Sequence, residues 1–507
     1  MPDTKKNFYV TTPIYYVNDV PHIGHAYTTV AADTIARYKR LKGCNVFFLT
    51  GTDEHGQKME KAAATAGVPT IDFVDSVVPR YKELWAKLNI SNDDFIRTTQ
   101  ERHKNAVTRL WETVQAKGDI FLGEYEDWYC VPCENFLTET QLKDGKCPDC
   151  GRPVEKLKEQ SYFFRLSKYG EPLLKHIEAN PDFIEPQGKR NEIVSFLKEG
   201  LRDLSVSRTT FSWGIPVPGD PKHVMYVWFD ALTNYLTATG YPEGNNGFWP
   251  ADIHIIGKDI LRFHAIYWPA FLMSAGLPLP KKVFAHGWWT VDGQKMSKSK
   301  GNVVDPNQVA DTYGVDQFRY FLLREVPFGV DGDFSLTSLV GRINSELAND
   351  YGNLLSRSVS MIDKYREGIV PVPDESKDRE ELEGRVKFLF GELPELYSSR
   401  IEGLNFYDAL SKVWAVIREL NAYVDKSAPW KEKDEATLSN VLYNLAEGLR
   451  ILSIYISPVM PQTAEKTRQT LGLDGNIEGA FDEETRWGGL KPGVKVLKTT
   501  PLFPRIQ

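Results

Sequence analysis

Four cysteines fall into two pairs, Cys130-x-x-Cys133 and Cys147-x-x-Cys150, thirteen residues apart, with Pro132, Gly145 and Pro148 at the turns. Paired thiolates at this spacing in a chain without a secretory signal spell a tetrahedral zinc site. All four positions are Cys, so no coordination position is left open for a substrate, and the site is expected to be structural. Few apolar residues surround it, so metal binding would supply folding energy that a core cannot. A second constellation is His22-Ile23-Gly24-His25, between an apolar β-prone run and a helical run. A helix N-terminus offers free N–H groups and a positive dipole end to an anion. Two imidazoles add donors, and Gly24 lets a nucleotide approach the backbone. Taken alone, the pair is equally open to a metal half-site or to chance. The third is Lys295-Met296-Ser297-Lys298-Ser299, in a loop bounded by Gly293 and Gly301. Two lysines three residues apart can converge on a polyphosphate as point charges; alone, such a loop is usually a solvated basic turn. Neither a Walker-type loop nor a Gly-x-Gly-x-x-Gly turn occurs in the chain. An ATP site must therefore be built from the other elements.

The elements that would position these residues alternate. Phe8–Tyr16 reads as a strand, and His22–Leu41 as a helix stopped by Gly43. Asn45–Thr50 is the next strand, and helical patterns follow at Gln57–Ala66, Ile71–Leu88 and Arg102–Ala116, with a short strand at Phe95–Thr98. This rhythm predicts an α/β fold with a doubly wound parallel sheet, whose ligands bind beyond the carboxyl ends of the strands. From Gly118 to about Arg208 the rhythm breaks, as in an insertion. It resumes at Tyr226–Phe229 and continues through a strand Ile253–Ile256 and a helix Ile260–Ala275. From Gly341 to Val459 the pattern is helical throughout, and the remainder reads as irregular. The expected organisation is a catalytic core in two halves, 1–117 and 226–280. An insertion occupies 118–225, a region around the Lys/Ser-rich loop 281–340, and a helical domain 341–507.

Composition suits a globular enzyme of several domains: 507 residues, 42% apolar and 25% charged. No run of about 18 apolar residues suggests a membrane span. Met1–Asn7 is polar and reads as neither signal nor transit peptide, so a cytoplasmic address is expected. The net charge of −7 speaks weakly against nucleic acid, although local basic patches can still bind it. Cys44, the fifth cysteine, is expected to be a buried structural thiol.

His22–His25 and Lys295–Ser299 together, in this order and on this background, resemble the two signature sequences of the class I aminoacyl-tRNA synthetase family, and the resemblance spans nearly the whole chain. It implies a Rossmann-like core on which an amino-acid carboxylate attacks the α-phosphate of ATP, followed by transfer to the tRNA 3′ end. His22, His25, Lys295 and Lys298 would stabilise charge on the phosphates. Gly24, Gly257 and Asp259 would join them in binding ATP, with Mg²⁺ accompanying it. Within the family the sequence looks like the methionine-specific branch. Pro13-Ile14-Tyr15-Tyr16, Gly51-Thr52-Asp53-Glu54-His55-Gly56, Tyr226-Val227-Trp228-Phe229-Asp230-Ala231 with Tyr235, and Gly257–His264 continuing to Trp268 carry that likeness. The implied amino-acid site comprises Ile14, Tyr16, Asp53, Trp228, Ala231, Tyr235, Ile260, His264 and Trp268, with Asp53 taking the α-ammonium. Ile260, His264 and Trp268 lie at i, i+4 and i+8, one face of a helix. An apolar, aromatic pocket with one polar tip suits a thioether. Arg208 and Lys258 match positions near the ligand. The insertion is too short for the hydrolytic editing domain of the valine, isoleucine and leucine enzymes. Asn353, Arg357 and Trp430 match residues that contact anticodon bases, while Asn349, in the same i, i+4, i+8 stripe, reads as a solvated position. Expected partners are ATP, L-methionine and tRNA(Met). The chain shows no segment like the C-terminal β-barrel by which some relatives dimerise, so a monomer is expected.

Overall fold

The computed structural model describes residues 5–18, 20–133, 135–137, 139–291, 293–295, 303–473, 476–498 and 500–506. Its frame is a six-stranded, wholly parallel sheet in the order Asp94–Arg97, Asn45–Asp53, Asn7–Tyr16, Ile253–Gly257, Val283–His286, Ile184–Glu185. The first half supplies β1 (Asn7–Tyr16), α1 (Ile23–Leu41), β2 (Asn45–Asp53), α2 (Gln57–Ala66), α3 (Thr70–Lys87), β3 (Asp94–Arg97) and α4 (Glu101–Ala116). β1 is buried on both faces along most of its length, as a central parallel strand must be. Glycine is required at Gly51: a Cβ there would lie 2.1 Å from the carbonyl oxygen of Ile96 on β3.

The insertion contributes β4 (Ile120–Cys130), β5 (Asn135–Leu137), β6 (Glu155–Phe164), α5 (Gly170–Ala179), β7 (Ile184–Glu185) and α6 (Gln187–Lys198). The short strands β8 (Leu204–Ser205), β9 (Ser207–Arg208), β10 (Pro216–Val217) and β11 (Asp220–Met225) complete two small antiparallel sheets. β7 returns to the edge of the main sheet. The alternation, expected to resume at Tyr226–Phe229, does so with β11 and a short helix, α7 (Val227–Leu232), followed by α8 (Asn234–Thr237).

The second half adds β12 (Ile253–Gly257), α9 (Trp268–Ala275), β13 (Val283–His286), β14 (Trp289–Val291) and β15 (Gln294–Lys295). β1 and β12 lie side by side, yet α1 and α9 pack into different cores, on opposite sides of the sheet. That is the topological switch point, where the carboxyl ends of the strands leave a crevice. The chain continues through α10 (Pro306–Tyr313), α11 (Val315–Arg324), β16 (Gly332–Asp333) and α12 (Leu336–Arg342). The helical domain follows as α13 (Asn353–Arg366), α14 (Arg385–Glu402), α15 (Phe406–Ser427), α16 (Glu435–Ile456), α17 (Pro461–Thr470) and α18 (Phe481–Glu484). The last two helices lie in the stretch read as irregular.

The fold is thus an α/β, Rossmann-like doubly wound sheet with a cysteine-bearing insertion and a C-terminal helical bundle. Among the described residues no helix is long and apolar enough to cross a membrane. One continuous apolar core joins α1 and α3 to the helical domain, through residues such as Ile35, Phe318, Leu355 and Leu452. Cys44 is half-buried at its edge, less enclosed than a core thiol.

Candidate active site

The His22–His25 turn follows the carboxyl end of β1. His22 is the N-cap of α1: its Nδ1 accepts the Gly24 N–H at 3.0 Å, and the His22 N–H donates to His25 Nδ1 at 3.2 Å. This is a capping box made of imidazoles instead of the usual hydroxyl and carboxylate. The rings stack at 3.9 Å. Each Nδ1 is an acceptor, so a neutral ring at either position carries its proton on Nε2. Desolvation, and then the neighbouring His22, hold the His25 imidazole well below its ordinary pKa, in agreement with a neutral ring. A Cβ on Gly24 would meet His22 Cε1 at 2.9 Å. The absent side chain therefore makes room for the folded-back ring, a use that the sequence reading, concerned with nucleotide approach, did not foresee. The Ile23 N–H donates to the Val304 carbonyl at 3.3 Å, tying the start of α1 to the chain just past the Lys/Ser-rich loop. Lys295 ends β15, which pairs with β14; Lys298 lies outside the described residues.

On the neighbouring strands, Tyr16 stands in register with Asp53, and Ile14 with Gly51. Asp53 is buried. Tyr16 and Ile14 are half-buried, and the Lys58 ammonium lies 4.5 Å over the Tyr16 ring. Gly257 ends β12; its missing Cβ leaves space for Asp259 Oδ1, which would otherwise be 2.6 Å away and which accepts the Trp288 indole N–H at 3.2 Å. Lys258 pairs with Asp331 at 2.6 Å and sits over the Trp288 ring.

The residues expected to form the apolar pocket gather where α7, α8 and the segment before α9 meet. His264 Nδ1 faces the Ile260 carbonyl at 3.0 Å, and His264 Nε2 faces the Tyr235 hydroxyl at 2.8 Å. A carbonyl only accepts, so Nδ1 carries the proton and Nε2 accepts from Tyr235. Desolvation lowers the His264 pKa to about 4, against a smaller opposing effect of the Ile260 carbonyl. The ring is wholly buried and neutral. Tyr235 and Trp268 are also buried, with ring centroids 6.1 Å apart. Trp228 is half-buried and stacks on Phe263 at 3.8 Å, and Ala231 is buried beside it. The expected single helix Ile260–Ala275 is three pieces: a 3₁₀ turn Lys258–Ile260, a π-helical stretch Phe263–Tyr267, and α9. Ile260, His264 and Trp268 are brought to one site, but through this widened turn, a feature frequent at functional sites.

Sequence reasoning passed over one constellation. Asp230, 1% exposed, takes His55 Nδ1 on Oδ2 at 2.6 Å and His103 Nε2 on Oδ1 at 2.7 Å. Burial pushes its pKa up, but His55 and His103 outweigh that and hold it at about 2. Two of the three residues stand inside quoted motifs; nothing local marks His103. Arg208 is also buried, donating to Ser205 Oγ at 2.8 Å and the Ser207 carbonyl at 2.7 Å, over the ring of Tyr226.

The four cysteines of the insertion converge, with all Sγ atoms within 4.8 Å of one another. Cys130 and Cys150 are 3.5 Å apart, Cys133 and Cys147 3.8 Å. Four thiolates around one ion at 2.3 Å stand about 3.8 Å apart, so the donor set fits a tetrahedral metal. Asp144 and Gly145, both at positive φ, turn the hairpin that presents Cys147. Among the described residues, Cys130, Leu137 and Cys147 form the buried nucleus around them.

In the helical domain, Asn353 and Arg357 are one turn apart on α13, and the Arg357 guanidinium lies 6.0 Å from the half-exposed Trp430 ring. Asn349 falls in a π-helical stretch, Ile343–Gly352, which takes it off the expected stripe; its side chain accepts from Arg505.

The model of the family "tRNA synthetases class I (M)" matches residues 8–156 and 152–359. The methionine–tRNA ligase of Caldanaerobacter subterraneus subsp. tengcongensis is 54% identical over 99% of this chain and 79% of its own length. That of Bacillus subtilis is 50% identical over 100% of this chain and 79% of its own length. Mycobacterium tuberculosis methionyl-tRNA synthetase in complex with methionyl-adenylate superposes with a TM-score of 0.94 at 47% identity, covering 99% of this chain and 100% of that one. Its free form gives 0.89 at 43% identity, covering 100% and 99%. The chain belongs to the methionine-specific branch of the class I aminoacyl-tRNA synthetases.

Proposed function

We propose that the chain joins L-methionine to tRNA(Met) at the expense of ATP. A methionine carboxylate oxygen bonds to the α-phosphorus, the bond to the bridging β-phosphate oxygen breaks, and pyrophosphate leaves. The 3′-terminal hydroxyl of tRNA then attacks the acyl carbon of the adenylate, and AMP departs. No protein nucleophile is required; positioning and charge stabilisation carry the reaction. His22 and His25 donate from Nε2 to the phosphates, with Lys295 and Lys298 on the opposite side, and Gly24, Gly257 and Asp259 line the nucleotide. Asp53 pairs with the α-ammonium. Ile14, Tyr16, Trp228, Ala231, Ile260 and Trp268 enclose the side chain, with Tyr235 and His264 as its polar end. Because the Tyr235 proton is committed to His264, the pocket presents an oxygen lone pair and aromatic edges, an environment that tolerates sulfur and offers it no strong donor.

The cysteine cluster would hold one structural zinc ion, and Mg²⁺ would accompany ATP. Asn353, Arg357 and Trp430 would read the anticodon by stacking and edge contacts. The enzyme acts as a cytoplasmic monomer. The observation that carries the reading is the gathering of Trp228, Tyr235 and Trp268 around the buried, neutral His264, in a chain 54% identical to a methionine–tRNA ligase. Pyrophosphate–ATP exchange across the twenty amino acids tests it: exchange with methionine alone supports it, and strong exchange with valine or cysteine instead would end it.

A further inference from the structure

Asp230, His55 and His103 come from three separate parts of the chain, the two histidines 175 and 127 residues before the aspartate. His55 lies two residues past Asp53, just beyond β2; His103 is in the first turn of α4; Asp230 is in α7. All three side chains are buried, and both carboxylate oxygens are engaged. An ionised carboxylate only accepts, so His55 donates from Nδ1 and His103 from Nε2. The second nitrogen of His103, Nδ1, contacts Thr237 Oγ1 on α8 at 3.1 Å.

α7 needs such an anchor. It has six residues and no side-chain cap, far below the length at which a helix is stable alone. It carries Trp228 and Ala231, which at i and i+3 share a face, while Asp230 projects from a different side. Apolar residues in place of a buried ionic network are often neutral or stabilising. What they do not supply is direction: two short hydrogen bonds to two elements fix where α7 sits and how it is rotated, where a greasy contact would let it slide.

We propose that Asp230 is a positioning residue for the amino-acid subsite: through His55 and His103 it sets the separation between Asp53, on one wall, and Trp228 and Ala231, on the other. This rests on the reading of those residues as the methionine site. It separates the two substrates, because the carboxylate of Asp230 bonds to His55 and His103, while the nucleotide end is built on α1 and β12.

The test is pyrophosphate exchange with separate KM values for methionine and ATP in the full-length enzyme. In Asp230→Asn the methionine KM rises about tenfold or more, while the ATP KM stays within about twofold. His103→Gln, which keeps an N–H near the position of Nε2, stays close to wild type; His103→Leu reproduces the Asp230→Asn pattern. Should Asp230→Asn fail to fold, the two His103 variants decide the matter. Parallel shifts in both KM values, tracking lost thermal stability, or a His103→Leu enzyme with an unaltered methionine KM, would overturn the proposal. Absence of methionine-dependent exchange in the wild-type enzyme would instead overturn the reading of the site on which it rests.

Discussion

His264 shows how burial sets a residue's chemistry. Held neutral between the Ile260 carbonyl and the Tyr235 hydroxyl, it titrates at about 4 in the folded chain, against about 6.5 when unfolded. Between those values the unfolded chain binds more protons, so stability rises with pH across the window and is complete above about 6.5. The His264 contribution lost by pH 4 is about 3 kcal/mol. Burial also lowers His25, His254 and His286, so they act in the same direction. Urea-unfolding midpoints should therefore climb from pH 4.5 to 6.5, less steeply in His264→Asn; a flat profile in the wild-type enzyme would contradict this. The residue types of the pocket were legible in the sequence because they cluster in short runs. The Asp230 network was not, because its partners are distant along the chain and no local pattern marks a histidine as a carboxylate's donor. Lys298, central to the motif reading, lies outside the described residues.

At the scale of elements, periodicity located nearly every helix and strand of the first 116 residues to within a residue or three. It failed where geometry departs from the ideal period. Residues 260–275 read as one helix, but the turn at Phe263–Tyr267 is π-helical, and the same widening displaces Asn349 in the helical domain. A local residue count assumes 3.6 residues per turn, whereas the number actually adopted is settled by tertiary packing. The cysteine hairpins were legible because their constraint is chemical. With so small a buried nucleus, they should depend on metal for order. Replacing Cys147 by Ser should reduce bound zinc from about one per chain to near zero. It should also open residues 118–208 to limited proteolysis while the helical domain stays protected. Retained zinc, measured by atomic emission, with an unchanged digestion pattern would refute that dependence.

At the scale of the whole molecule, the helical domain and the sheet share one core, and Arg319 of α11 fastens them. Wholly buried, it donates to Asp33 of α1 at 2.6 Å, to the Leu88 carbonyl after α3 at 3.0 Å, and to the Pro458 and Val459 carbonyls beyond α16 at 3.0 and 2.8 Å. Arg319→Met would leave a buried carboxylate and three carbonyls without that donor, at a cost of about 3–5 kcal/mol; a urea-unfolding change below about 1 kcal/mol would contradict a fused body. The same helix α1 begins at the His22–His25 turn, so the part proposed to read the anticodon and the part proposed to bind ATP hang on one rigid rod. That these parts together charge a tRNA with methionine is checked by acylation of purified tRNA(Met) with labelled methionine and ATP. The expected result is near-stoichiometric charging, together with strong loss of charging, but intact methionine-dependent pyrophosphate exchange, in Trp430→Ala. Methionine activation by the wild-type enzyme without transfer to tRNA, or charging indifferent to Trp430, would contradict it.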